Sequence, residues 1–538
     1  MSAWSWLGGL FLLLPLGDIW VDAIGGTTGG TGTSGDPFKL ITQGLGAAST
    51  GDVVKVKKGL YDIALGETFP LSIPSEVSVI GVDSGENPAD FARIGGDLTD
   101  EGFADPDVKS LMVIDGRSTE RQAILIQNFI FVGQDDEDFD SPPALLFVGA
   151  SQNCVITGNT FLRGEMNDEE AADRATIEVG GVDESSINTS SIESNIIEPS
   201  ARAAIEFIGV AGGIVGVGSD FTILGNTIQN PTGKTSEFGI HWEGLVGPLY
   251  GGAKIFSNQI VSPDEGIGTG VSIEVTTFGS EESIFHPGRM VGNLIQGCSG
   301  DGVYMECTVT NIRMEAFARN TIKGNGGSGV HIVWDPTHAY DGAGDINNQW
   351  IEGNLIVAND RFAYEIGGLG SASAFPMKVL NDTLANNGMG AFGFGEWDDM
   401  ANQISVEKFN EVFALFGNLV MWGNNASGSY VQVTGLNEEL LDEFIDTTHY
   451  SDWQYLPGTP AQGNIASDPD FLNAAGGDWH LDDGSPCIDS GRIAIGVTAQ
   501  IDIDLADRVA DGDHPICARP AVLQIDMGAD EVPDPCEE

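Results

Sequence analysis

The chain of 538 residues carries 79 acidic against 23 basic side chains, a formal net charge of −56. That balance excludes nucleic acid, whose phosphates need Lys and Arg, and it sets the chain against anionic membrane surfaces; a surface this acidic suits salty surroundings or many divalent cations. Six cysteines without a CxxC or Cys/His cluster exclude a disulfide scaffold and a zinc site.

The chain opens with "WLGGLFLLLPLG" (Trp6–Gly17), an apolar run too short to span a bilayer. It fits the core of a secretory signal over residues 1–17, although no Lys or Arg precedes it and no A-x-A site follows. Export, as a secreted or cell-surface protein without a transmembrane segment, is the expectation. A strand, "IWVDA", begins at Ile19. Asp36 is placed to N-cap a helix over Phe38–Ala48 with Pro37 at its first position. That helix would plug one end of the fold, within an opening domain assigned to residues 18–115.

From 116 to 433 one pattern returns: Asn, then an aliphatic or aromatic residue two positions on. It is met at Asn128, Asn159, Asn195, Asn226, Asn258, Asn293, Asn320 and Asn354, with Asp382 in register and then Asn418. The spacing runs from 27 to 36 residues. Most units continue with a small-residue turn and a second β segment, such as "FGIHWEG", "TGVSIEV" and "SGVHIVW". Short strands with period-2 alternation, broken by Gly, Asn and Asp, cannot bury an apolar face alone; stacked along an axis they can. The expected fold is all-β, a right-handed parallel β-helix with rungs about 4.8 Å apart. The recurring Asn is expected to bond its equivalents one rung up and down, a structural ladder with no catalytic role. Cys298 falls at a turn position that other units fill with Asn, and reads as a small buried residue. An acidic stretch, "GQDDEDFDSPP" (Gly133–Pro143), is a further candidate for cations or a solvated loop.

Aligning the second β segments builds columns. Ile240, Val271, Val303, Val330 and Tyr364 align inward. The next, outward position holds Glu178, Glu206, His241, Ser272, Tyr304, His331, Glu365 and Gly393. Two residues on, Glu243, Glu274, Glu306 and Val333 form a second outward column, with Trp242, Ile273, Met305 and Ile332 inward between the two. Adjacent rungs put carboxylates about 5 Å apart and alternate rungs about 10 Å, bracketing the separations in retaining and inverting glycosidases. Like charges this close either raise one another's pKa or recruit a cation such as Ca²⁺. Glu243, Glu274 and Glu306 are thus candidate Ca²⁺ ligands. With His241, Tyr304 and His331 they are also the candidate catalytic set. Glu274, with a like charge on each side, is expected to be the protonated general acid. Loops at 244–252, 276–288 and 335–346, bearing Tyr250, His286, His338 and Tyr340, are expected to wall a groove over this face. Against this stands the bland reading: any solvated face of so acidic a chain carries Glu.

After the repeats, "LNEELLDEFIDTT" from Leu436 reads as an acidic amphipathic helix in a connector assigned to 434–460. The C-terminal module is 461–538, in which Cys487 and Cys517 could pair.

Two stretches resemble known families. Residues Ile19–Asp83, through "DPFKLI", "GLY" and "GETFPLSIPSEVSVIG", resemble the N-terminal domain of unknown function that opens many bacterial pectate-lyase-like β-helix proteins. "SDPDFLNAAGGDWHLDDGSPCIDSG" and "IDMGADE" resemble the C-terminal segment of secreted bacterial β-helix proteins. The resemblance implies fold and secretion; an extracellular polysaccharide is the expected partner, and a monomer the expected state. It does not name a reaction. The polygalacturonase signatures are missing, and the basic candidates for lyase chemistry (Lys323, Arg313, Arg319, Arg289) are few. Two classes stay open: a glycoside hydrolase or pectate-like lyase, and a non-catalytic carbohydrate-binding or adhesive β-helix.

Overall fold

A computed structural model of the chain describes residues 17–83, 87–95, 110–132, 144–163, 174–181, 187–209, 221–246, 250–251, 254–277, 284–307, 311–334, 349–367, 377–395, 413–425, 432–455, 462–492, 502–504 and 525–530. The expected signal segment, the acidic 133–143 stretch and the 335–346 loop with His338 and Tyr340 lie outside these residues. Among the described residues no helix is long and apolar enough to cross a membrane.

The chain winds through three parallel sheets, in which the described residues supply 15, 13 and 13 strands, as a right-handed β-helix. One turn shows the plan. Thr222–Leu224 lies in the first sheet, Thr227–Gln229 in the second and Ser236–Val246 in the third, before Lys254–Phe256 re-enters the first. Strands of the first two sheets are mostly three or four residues long, and many of them end at an Asn or Gly bend, as at Gly158–Asn159 and Gly225–Asn226. Their central residues stack inward, Ile126 on Ile156, Ile192, Ile223 and Ile255, and all are buried. The third sheet adds larger side chains, among them Phe207 stacked on Trp242 with ring centroids 4.6 Å apart.

Both ends of this core are closed by a helix presenting two apolar residues four apart, a helical spacing that puts both on one face. At the start, α1 (Ile41–Ala47) buries Ile41 and Leu45 beside Val21 and Val54. It is shorter than the expected Phe38–Ala48 helix. Asp36 does not cap it: its carboxylate accepts from Thr31 N inside a tight turn. The cap is Glu67, buried, whose carboxylate accepts from Ile41 N and from the N–H and hydroxyl of Thr42. At the far end α2 (Glu438–Thr447), N-capped by Asn437 accepting from Leu440 N, buries Leu440 and Phe444. Phe444 meets Phe392, Phe416 and Trp453.

The C-terminal segment packs on the flank of the second sheet. Trp479, in an antiparallel hairpin (Phe471–Asn473 with Asp478–Leu481), rests on Val357 and Ala385. Leu481, Cys487 and Met527 cover Val420. Cys487 is a buried thiol with Sγ 3.2 Å from Asp452 Oδ2; Cys517 lies outside the described residues.

The asparagine ladder runs at the bend between the first and second sheets. Asn159, Asn195, Asn226, Asn258, Asn293, Asn320 and Asn354 are all buried. From Asn195 on, each Oδ1 accepts the backbone N–H and the side-chain amide of its equivalent one rung earlier, as Asn226 Oδ1 does from Asn195 N (2.9 Å) and Nδ2 (3.0 Å). Asp382 ends the series: its Oδ1 accepts from Asn354 N and Nδ2, and its Oδ2 from Tyr364 Oη at 2.6 Å. Burial pushes this carboxyl up to about 7.

The two terminal members of the expected file are displaced by one residue. Asn128 and Asn418 occupy the left-handed position just before the ladder, with φ of 62° and 54°. They share that column with Gly158, Gly225, Gly292 and Gly353. Phe129 and Leu419 stand at the ladder position itself, and Phe129 N donates to Asn159 Oδ1. A second, shorter ladder joins the second and third sheets through Asn325, Asn359, Asn387 and Asn424. Cys298 is its upstream neighbour, donating its N–H to Asn325 Oδ1.

The two roles make opposite predictions. Asn195→Ala strands the N–H and amide of Asn159 and should cost on the order of 1–3 kcal/mol. Asn128→Gly, at a left-handed position, should be close to neutral. Urea denaturation of both variants checks this; equal losses would refute the assignment.

Candidate functional site

The third sheet aligns as the repeat spacing implies. Glu178, Glu206, His241, Ser272, Tyr304, His331, Glu365 and Gly393 are successive register partners. Glu243, Glu274, Glu306 and Val333 form the parallel column. The two columns differ in depth. Glu178, Glu206, His241, Ser272 and His331 are buried, although they point away from the core. Glu243 is exposed, and Glu274 and Glu306 are half-buried. Only the second column reaches solvent as a row of carboxylates.

The expected loops are partly strand. Ser236–Val246 pairs with Ile267–Thr277 up to Val246 and Thr277, and Tyr250–Gly251 pairs with Phe285 and His286 in the first sheet.

The buried column holds charge, and charge there needs a partner. Sequence reasoning missed the partners. Arg174, Arg202 and Arg361 each stand four residues before a column glutamate, and each is ion-paired to it: Glu178, Glu206 and Glu365. The signal was present as R-x-x-x-E in three units. The basic residues singled out instead lie elsewhere: Lys323 in the second sheet, Arg289 and Arg313 in the first, and Arg319 in a bend.

Arg202 is the hub. Its Nε donates to Glu206 Oε1 (3.0 Å), its Nη1 to Glu237, and its Nη2 to Glu243 Oε2 (2.9 Å), while its guanidinium lies over the Phe238 ring. His241, fully buried, stacks on the same ring at 4.1 Å. Its Nδ1 is 2.9 Å from Glu206 Oε1 and its Nε2 faces Glu274 Oε1 at 3.6 Å. Burial alone would lower this imidazole; Glu206 and Glu274 overcome that and raise it. Ligand atoms of Glu206, His241 and Glu243 lie within 4.8 Å of one another, the spacing of a metal site. Arg202 contacts all three residues, in the place a cation would take.

The same imidazole reverses the expectation for Glu274. His241 first, and then the Ser272 hydroxyl (2.9 Å), hold this carboxyl below its ordinary value against the opposing effect of burial. Glu274 is therefore held ionised and is not a proton donor. Next along, Tyr304 Oη donates to Glu306 Oε2 at 2.7 Å. Burial and that carboxylate push the phenol up, so it keeps its proton. His331 Nδ1 is 2.8 Å from Asp301 Oδ2, and its ring meets Tyr304 edge-on. The six candidate residues thus share one face of four rungs. His241 reaches outward only through Glu274.

Removing the hub should show its weight. Arg202→Ala leaves Glu206 buried beside His241 without its guanidinium and should cost about 3–5 kcal/mol by chemical denaturation. A loss under 1 kcal/mol would mean that the network carries little.

Residues 24–133 match the family model described as Protein of unknown function (DUF1565). No curated protein sequence matches the chain. Among solved structures the chain is similar to pectate lyase Pel9A, with 10% identity over 96% of each chain and a TM-score of 0.38. It is similar to XylC in complex with xylose, with 10% identity over 95% of this chain and 98% of that one and a TM-score of 0.40. A third is the A-module of mannuronan C-5 epimerase AlgE6 from Azotobacter vinelandii, with 11% identity over 80% and 93% and a TM-score of 0.33. The chain is a parallel β-helix protein whose residues 24–133 match the family model DUF1565.

Proposed function

We propose that the protein is a secreted, polysaccharide-active β-helix that holds its glycan along the third sheet, over the Glu243–Glu274–Glu306 file. What supports this is the state of the file. Three solvent-reaching carboxylates stand one rung apart, each given a donor: Arg202 for Glu243, Ser272 for Glu274 and Tyr304 for Glu306. Acceptors ordered at this spacing suit the hydroxyls of a chain running along the helix axis. In a hydrolase or a lyase the roles follow from the charges. Ionised Glu274 serves as base or nucleophile, and the Tyr304 phenol is the group that still has a proton to give. His241 is a positioning residue that keeps Glu274 charged.

The second reading, a glycan-binding β-helix without turnover, is favoured by one observation. On the two rungs before the file the same outward column is taken up by buried ion pairs, Glu178 with Arg174 and Glu206 with Arg202, which rigidify the face without presenting a reactive group to it. Reducing-sugar release and absorbance of unsaturated uronides across a polysaccharide panel decide between them. Glu274→Gln should lower turnover by about 100-fold or more with binding nearly intact. Unchanged activity would move the chemistry off this file. Binding without turnover in the wild type selects the second reading, and neither binding nor turnover sinks the proposal.

The proposal extends to Ca²⁺, which takes carboxylate oxygens such as those of Glu243, Glu274 and Glu306. The ion would have to replace Arg202 on Glu243. Millimolar Ca²⁺ should then raise the melting temperature over that in chelator, and Glu306→Gln should shrink the rise. Equal melting in both removes the ion.

A further inference from the structure

We propose that a notch in the third sheet at Gly393 is a subsite for one uncharged sugar ring of the glycan; this deepens, and rests on, the reading above. The outward column presents a side chain at every rung from Glu178 to Glu365, and again at Thr434, the register partner after Gly393. Gly393 presents none. The gap opens into a cavity of about 250 Å³ lined by Arg361, Phe362, Glu365, Gly393, Phe394 and Thr434. That is below the roughly 300–1,000 Å³ of sites for drug-sized ligands, and so fits a single ring.

The glycine is there for space. A Cβ on Gly393 would meet the Phe362 ring at 2.7 Å, and one on Gly390 would meet it at 3.2 Å. The ring therefore lies across two glycines and gives the cavity a flat apolar wall of the kind that packs on the C–H face of a sugar. Polar groups stand beside it. Glu365 accepts from Arg361 Nη2 and from Ser328 Oγ. Arg202 has an acceptor for each of its three nitrogens, but Arg361 shows one for Nη2 alone among the described residues. Its Nε and Nη1 hydrogens are left to donate to hydroxyls.

Charge selects the ligand. Arg361 and Glu365 neutralise each other, so the notch has no net charge to attract a carboxylate. The neighbouring file and a chain charge of −56 repel one. The fitting occupant is a neutral pentose or hexose unit.

The test is calorimetric titration of the full chain with neutral xylo-, cello- and mannotetraose, and with tetragalacturonate as the acidic counterpart. A neutral tetrasaccharide should bind. Phe362→Ala, which removes the wall, and Gly393→Val, whose side chain would displace the Phe362 ring, should each weaken it tenfold or more. Melting temperatures report folding, and either variant that folds suffices. Wild-type affinity in a folded variant overturns the subsite while leaving the groove standing. Tetragalacturonate binding more tightly than every neutral probe overturns the charge argument. No binding of any probe to the wild type overturns the underlying reading and the subsite with it.

Discussion

A buried amide that must find two partners sets this architecture. At the bend between the first and second sheets the chain turns inward and carries backbone N–H groups out of reach of water. An unmet group there costs as much as a lost hydrogen bond. Asparagine meets the requirement because its side chain carries both acceptor and donor. The bond is to the equivalent residue one rung away, so each turn is held in register with the next whatever its length. Units of 27 to 36 residues stack on the same ladder. Register fixed at one corner propagates to the others. That is why His241, Ser272, Tyr304 and His331, far apart in sequence, form one column.

On the third sheet the register lines up charge instead of amides. Two outward columns run side by side, and the inner one is buried. A row of buried carboxylates would not persist without counter-charge, and three arginines four residues upstream supply it. The consequence reaches the surface. Arg202 steadies Glu243, His241 keeps Glu274 ionised, and Tyr304 steadies Glu306. The exposed file owes its order to what lies beneath it.

The repeat and both columns were legible in the sequence because each depends on spacing alone. The failures came where one pattern serves two roles. Asn followed by an apolar residue two positions on describes a ladder Asn, but equally the left-handed Asn one position earlier, and so Asn128 and Asn418 were misplaced. Asp36–Pro37 reads as a helix cap, but in the folded chain a side chain 26 residues beyond Ile41, Glu67, takes that duty. The protonation of Glu274 was misjudged by counting carboxylates above and below it. The decisive neighbour was the diagonal imidazole, whose own charge depends on Glu206. Arg202 went unnoticed because an i,i+4 Arg–Glu pair reads as solvated surface in a chain this acidic.

The ladder also has a direction. Each side-chain amide from Asn159 to Asn354 donates to the side-chain oxygen of the rung that follows and to a backbone carbonyl of the rung before, so the amides point the same way along the axis. Aligned amide dipoles add, as they do in an α-helix, and leave positive character at one end. At that end stands Asp382, an acceptor with no amide to pass on. It terminates the series, and the next rung offers Leu419 where an acceptor would otherwise be needed. At the opposite end Phe129 contributes only its backbone N–H. The β-helix thus contains an internal electrical axis with a carboxyl group at its positive pole, and its two ends are chemically distinct before any cap is added.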